Sequence, residues 1–241
     1  MTRSVGWLVI WCVAVLLAPI LSPRDPLAID SASLLSPSSQ HWLGTDSLGR
    51  DVLSRTLHGG RLTIAVGAIA TAIGAGVGTA LGLTATLAAP LLRRTAIISA
   101  TALASLPGLV VALVAITLLG PGFGQIALAV GIAQAPAMAL FTSETSRAVL
   151  AEPYILSARS AGAGAWGIAI RHVWPNIQRT WMGYTIIIFT QCIMSATALG
   201  FLGLNGDLSA PEWGSMLAEA RQVVRAAPWL GIPAGVGIAI T

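Results

Sequence analysis

The chain has 241 residues, 55% of them hydrophobic and 9% charged, with a net charge of +4 and a mean hydropathy of +0.81. Soluble domains carry about 25% charged residues, so this composition excludes an ordinary soluble enzyme and implies a polytopic, all-α membrane protein. Every one of the 13 basic residues is arginine, and a phosphate-binding loop needs a lysine, which excludes the chain from being an ATPase itself.

Six apolar segments can be read, at residues 5–21, 62–89, 96–119, 125–143, 181–202 and 226–241. Most reach the roughly 20 residues that a helix needs to cross hydrocarbon. The first follows Arg3, and no small-residue cleavage site follows it, so it is expected to be an uncleaved anchor. The sixth has 16 residues, too few to end a spanning helix in water, and the expectation is that the last helix continues beyond Thr241. Cys12 and Cys192 lie within apolar segments and suit packing. His41, His58 and His172 lie far apart, and no metal site is expected.

Between the first two segments, Leu48, Val52, Leu53 and Leu57 form an apolar stripe, with Asp46/Arg50 and Asp51/Arg55 as i,i+4 pairs. This predicts an amphipathic helix on the outer membrane surface, started by Thr45 and ended by Gly59-Gly60. The chain then divides into residues 1–61, anchor plus outer amphipathic segment, and residues 62–241, the transmembrane domain.

The second segment carries Ala70, Gly74, Gly78 and Gly82 at intervals of four, a small-residue face for close helix approach. Gly74, Gly76 and Gly78 follow no strand, so a nucleotide-binding loop is rejected. Pro107-Gly108 and Pro136 predict kinks in the third and fourth segments. Arg93-Arg94 sit in a very short loop, and short loops weigh most in the positive-inside rule, which places the N-terminus in the cytosol. None of the six segments holds Arg, Asp, Glu or His. That argues against a proton-coupled transporter and an intramembrane metalloprotease. The uncharged polar residues Ser105, Gln134, Thr190, Gln191, Ser195 and Thr197 either bond between helices or line a wet pathway.

The most informative stretch is EPYILSARSAGAGAWGIAIRHVWPN, residues 152–176, within an inner loop at 145–179. Pro153 suits a first helical turn. Tyr154, Ser157, Ala158 and Ala161 then share a face, and Gly162 stops the helix. A second short helix, about 165–172, is expected to end at Pro175. Composition alone also allows this helix to rest on lipid headgroups.

Ser157, Ala158, Gly162, Ile170 and Pro175 match a pattern of permease subunits in ATP-binding-cassette importers, with Leu156 where that pattern has Glu. HWLGTDSLGRDVLSRTLHGGR (residues 41–61) and ALGFLGLNGDLSAPEWGSMLAEAR (residues 198–221), followed by APW, resemble the dipeptide, oligopeptide and nickel branch of that family, the DppC/OppC type. The resemblance implies a type I importer fold with about six transmembrane helices in a bacterial cytoplasmic membrane. It implies an ATPase-coupling surface of Tyr154, Ser157, Ala158, Arg159, Ala161, Gly162 and Pro175. It also implies a docking surface for an external binding protein, with Asp207, Pro211, Glu212 and Trp213 as candidates. The partners so implied are a second, DppB/OppB-like permease, two cytosolic ATPases that hold ATP and Mg, the binding protein and membrane lipid, with no nucleic acid and no cofactor in this chain. Small peptides are the expected cargo. A nickel chelate in the same family, a self-sufficient channel and a non-transporting scaffold stay open as alternatives.

Overall fold

A computed structural model describes residues 15, 17–29, 31–207 and 209–241. Most of the first apolar segment, with Arg3 and Cys12, lies outside them. In chain order the helices are α1 (Ala18–Leu21), α2 (Val52–Leu87), α3 (Pro90–Ala104), α4 (Gly108–Leu119), α5 (Phe123–Leu150), α6 (Pro153–Ser160), α7 (Ala165–Ile168), α8 (Trp174–Phe201), α9 (Trp213–Gln222) and α10 (Ile232–Ile240), with a π-helical stretch, Ala169–Val173, joining α7 to α8. Three described helices are long and apolar enough to cross a membrane: α2, α5 and the run Ala165–Phe201. The pair α3 and α4 makes a fourth if the two form one span. That pair corresponds to the third apolar segment, and the kink expected at Pro107-Gly108 is a 92° break. Proline disfavours helical geometry in the residue before it, so the helix stops at Ala104 and restarts at Gly108. In contrast, α5 runs unbroken through Pro136. The sixth expected span is represented by α10.

The chain forms two compact units. One comprises residues up to Gly67, Leu119–Ile126 and Ile193–Thr241. Its centre is Trp213, 0% exposed, packed with Val15, Met216 and Ala234. A Cβ at Gly60 would stand 2.5 Å from the indole Cζ2, and one at Gly237 would stand 2.7 Å from it. The indole N–H donates to the Thr56 carbonyl at 2.9 Å, the bond a buried tryptophan needs.

This explains a correction. Gly59-Gly60 does not end a surface helix; α2 passes straight through it, and the boundary placed at 61/62 falls inside α2. Those glycines make room for the ring. Nor does Thr45 start the helix: it forms an isolated bridge with Asp51, and the Asp51 carboxylate accepts the Ser54 N–H at 2.9 Å. Of the apolar stripe, Val52 and Leu57 are buried within the unit and Leu48 is exposed.

The charges nearby are buried rather than solvated. Asp46 receives Arg50 at 2.6 Å, as expected, but also Arg55 at 3.2 Å. The expected Asp51/Arg55 pair is replaced by Asp51 with His41 at 2.9 Å. Glu219 faces both arginines, at 3.2 and 3.7 Å, and the Ser209 carbonyl accepts from both. Two guanidiniums taken out of water need this many acceptors. Together they tie the segment before α2 to α9.

The second unit comprises Ala68–Leu118 and Ala127–Cys192. Here the four-residue spacing in α2 does what its small residues suggest. A Cβ on Gly74 would lie 2.9 Å from the Gly131 carbonyl, one on Gly78 2.5 Å from the Ala135 carbonyl, and one on Gly82 2.5 Å from the Ala139 carbonyl. Gly131 returns the contact to Ala70 and Ile73. The backbones of α2 and α5 touch along this line, which gives dense van der Waals packing where lipid offers no hydrophobic drive. The Trp181 indole donates to Thr79 at 2.7 Å, and Phe141 stacks on Tyr184, holding α8 beside them.

Trp213→Ala is expected to destabilise the first unit by about 3–5 kcal/mol, the usual cost of removing a buried Trp. Thermal unfolding of the protein in nanodiscs checks this, and Trp213→Phe is expected to cost less.

Candidate functional site

The 152–176 segment is built from two turns of helix on an apolar foot. Pro153 opens α6, and Ile155, 1% exposed, packs with Ile168, Val173 and Ile177. Leu83 of α2, Val149 and Leu150 of α5, and Trp174 of α8 close around them. Each fully buried isoleucine contributes about 1.5–3 kcal/mol, so this foot seats the short helix far better than its own two turns could.

Its C-terminus is a complete stop. Gly162 has φ +85°. Its N–H donates to Arg159 O at 2.9 Å, and the Ala163 N–H reaches back to Ala158 O at 3.0 Å. These are the two bonds of a Schellman motif, and the positive φ at C′ is where glycine costs least. Among the described residues, its chain neighbours aside, nothing lies within 4 Å of a Cβ on Gly162.

Ile155 points in, and the outward surface of α6 and its end presents Tyr154, Ser157, Arg159, Ala161 and Gly162, all exposed, with Ala158 half-buried. Leu156 is 69% exposed, a large apolar side chain beside this face. The expected second helix does not end at Pro175. The chain passes from α7 through the π stretch into α8, with the Trp174 N–H bonded to Ala169 O, five residues back. The wider turn shifts the ladder just before a residue that has no N–H to offer. Pro175 sits in the first turn of α8 and is exposed.

Asn176 is a residue that sequence reading passed over. Its amide donates to His172 O at 2.6 Å and to the Tyr154 hydroxyl at 3.3 Å, and the Tyr154 ring lies 6.0 Å from that of His172. Asn176 therefore ties α6 to the start of α8. The only signal was its position after Pro175, where a side-chain donor can serve a nearby backbone carbonyl.

The pathway candidates scatter. Gln134 is buried, with its Cβ against Gly74. Thr197 is buried too, its hydroxyl bonded to Ile193 O and Met194 O in its own helix. Ser195 is half-buried, while Thr190 and Gln191 are exposed on α8, and Ser105 is exposed at the α3–α4 break. None of them lines two apolar hollows of the second unit, of about 250 and 530 Å³.

The docking candidates also divide. Asp207 is exposed, and its carboxylate accepts from Ser209, which holds its pKa below the usual carboxyl range. Pro211 is half-buried. Glu212 and Trp213 are internal and cannot meet a partner. Glu212 caps α9 instead, accepting N–H groups of Gly214 at 2.8 Å and Ser215 at 3.0 Å. Burial pushes its pKa above the usual carboxyl range.

A family model described as "Binding-protein-dependent transport system inner membrane component" matches residues 73–241. The chain is 36% identical over 205 residues to the glutathione transport system permease protein GsiD of Pectobacterium atrosepticum, covering 85% of this chain and 68% of that protein. It is 36% identical over 234 residues to the di/tripeptide transport system permease protein DppC of Pseudomonas aeruginosa, covering 92% and 75%. The GsiD protein of Escherichia coli O1:K1 matches at 36% over 205 residues.

The raised Glu212 pKa gives a signed expectation. The folded state binds a proton more tightly than the unfolded chain, so this group's contribution is full below the ordinary carboxyl range and is lost as pH rises through the folded pKa. The difference in unfolding midpoint between wild type and Glu212→Gln is expected to move in favour of Gln as pH rises across that interval. A difference that stays flat with pH would contradict it.

Proposed function

This chain belongs to the family of inner-membrane components of binding-protein-dependent transport systems, and from that premise we propose that it carries small peptides inward as one half of an ATP-driven pore. It is a multi-pass permease subunit of an ATP-binding-cassette transporter. Both the glutathione and the di/tripeptide relatives support a short-peptide cargo.

The observation that carries the reading is α6. It is a short helix, seated by Ile155 and closed by Gly162, whose exposed residues include the small Ser157, Ala161 and Gly162. A partner helix end or groove can approach such a face closely. A helix so short and so well stopped moves with its foot, so a push or pull on it passes into α2, α5 and α8. In the proposed assembly this chain pairs with a second permease, each contributes one such helix to a cytosolic ATPase, and an external binding protein delivers the peptide. ATP and Mg are held by the ATPases. The N-terminus is cytosolic, with residues 145–179 on the same side. Tyr154, Ser157, Ala158, Arg159, Ala161, Gly162 and Pro175 form the contact with the ATPase, and Asp207 and Pro211 belong to the surface facing the binding protein.

Gly162→Arg adds strain at a positive φ and a long side chain at the contact, and Ala158→Arg adds bulk to the same face. Both are expected to insert and assemble with the membrane partner but to lose ATPase association or substrate-stimulated hydrolysis, with uptake falling at least about tenfold, the loss of some 1.4 kcal/mol. Leu156→Glu is expected to be mild. Normal uptake and stimulation in both arginine variants would remove α6 from the coupling path.

Orientation is checked separately. Cysteines introduced at Gly122 and Asp207 are expected to react with an impermeant reagent from outside, and those at Arg94 and Ser160 are not. The reverse pattern would put α6 where no cytosolic ATPase reaches it.

A further inference from the structure

The helix α3 stands partly clear of its neighbours. None of its residues is buried, and an apolar hollow of about 250 Å³ lies between it, α2 and α5. Ala96, Ile97, Ala100 and Leu103 line the hollow from α3, Thr84 from α2 and Leu140 from α5. The Thr84 hydroxyl is turned back onto Ala80 O at 2.8 Å, so its proton is already spent. The lining on α3 runs for about 10 Å, at about 1.5 Å of rise per residue. Both α2 and α5 are long and apolar enough to cross a membrane, and the medium around such helices is hydrocarbon. A stretch of acyl chain suits this lining, whereas a charged or peptide guest would lose most of its hydration there without replacement.

One end of the hollow has the opposite character. Arg93 precedes Ala96, Ile97 and Ala100 by three, four and seven residues, so it shares their face of α3. Helical side chains lean toward the N-terminus, which puts this guanidinium at the end of the hollow nearer the α2–α3 turn. Arg93 is half-buried and Arg94 is exposed. Neither side chain makes an ion pair or a hydrogen bond among the described residues. The carboxylates of the second unit are Glu144, which faces Arg147 at 3.9 Å, and Glu152. Two adjacent guanidiniums with no carboxylate of their own call for an anion from outside the chain, and the planar fork of arginine matches phosphate oxygens. Basic residues beside a pocket between membrane helices are the arrangement that holds lipid headgroups.

We propose that the hollow between α2, α3 and α5 is a binding site for one anionic phospholipid, its phosphate held by Arg93 and Arg94 and an acyl chain lying along Ile97, Ala100 and Leu103. The bound chain packs the gap that α3 leaves against the α2–α5 pair. The proposal needs only that the chain spans a membrane; it is independent of cargo and of the coupling role of α6.

The test uses the assembled transporter, purified in detergent and followed by native mass spectrometry with phosphatidylglycerol added. Wild type is expected to retain one phosphatidylglycerol that two variants bind at least about tenfold more weakly. One is Arg93→Gln/Arg94→Gln, which removes the cations and breaks no bond within the described chain. The other is Ala100→Phe, which fills the hollow and leaves both arginines. Retention equal to wild type in either variant overturns the site. Phosphatidylglycerol is also expected to raise the unfolding midpoint of wild type by a few degrees and to leave both variants unmoved. An equal rise with inorganic phosphate would assign the arginines to a free anion. Loss of the ATPase subunits from the arginine variant, with its lipid retained, would assign them to an acidic protein surface. Either result overturns the lipid.

Discussion

The close backbone contact of α2 with α5 is the constraint from which the second unit follows. In hydrocarbon there is little to gain by hiding one apolar side chain against another rather than against lipid. What remains is contact density, and that depends on how near two helices come. Gly74, Gly78 and Gly82 leave no room for a β-carbon against the carbonyls of Gly131, Ala135 and Ala139. With the helices locked in that register, Leu83 and Val149 are brought to the same apolar foot, together with Ile155, Ile168, Val173 and Ile177. The short helix α6 inherits its position from that foot. A slip of one residue along the glycine line would put side chains where backbones now meet.

The first unit solves a different problem. Its described residues gather polar groups inside a shell of short helices and turns. Trp213 supplies the volume, and Gly60 and Gly237 supply the space for it. Around it Asp46, Arg50, Arg55 and Glu219 neutralise one another, and His41, Asp51 and Ser54 form a second chain of bonds. Buried charges are weak evidence for net stability, yet removing any one member is strongly destabilising because it leaves another unpaired. The turn around Asn205 and the cap at Glu212 belong to the same polar interior.

The segment around α6 combines rigidity with an open face. Its helix is stopped by the two bonds of a Schellman motif, and Asn176 holds Tyr154 from below. The π stretch before Trp174 lets an almost continuous helix pass Pro175 without a break. α6 thus shares its apolar foot with α2, α5 and α8, helices long and apolar enough to cross a membrane.

Much of this was legible from residue types and spacing alone. The membrane class followed from composition, the α2 seam from glycines four apart, and the start and stop of α6 from Pro153 and Gly162, because each is a local property of the backbone or of one helical face. What the sequence could not determine were the partners of side chains brought together from distant positions. Gly59-Gly60 reads locally as a helix stop, yet Trp213, more than 150 residues away in the chain, turns it into the floor of an indole site. Asp51 has an arginine four residues on, yet His41 takes it. Glu212 and Trp213 look like exposed loop residues until α2 and α9 close over them. Local spacing determines which conformations a segment can adopt; only tertiary structure decides which neighbour fills the space a glycine leaves, and which charge a buried carboxylate meets.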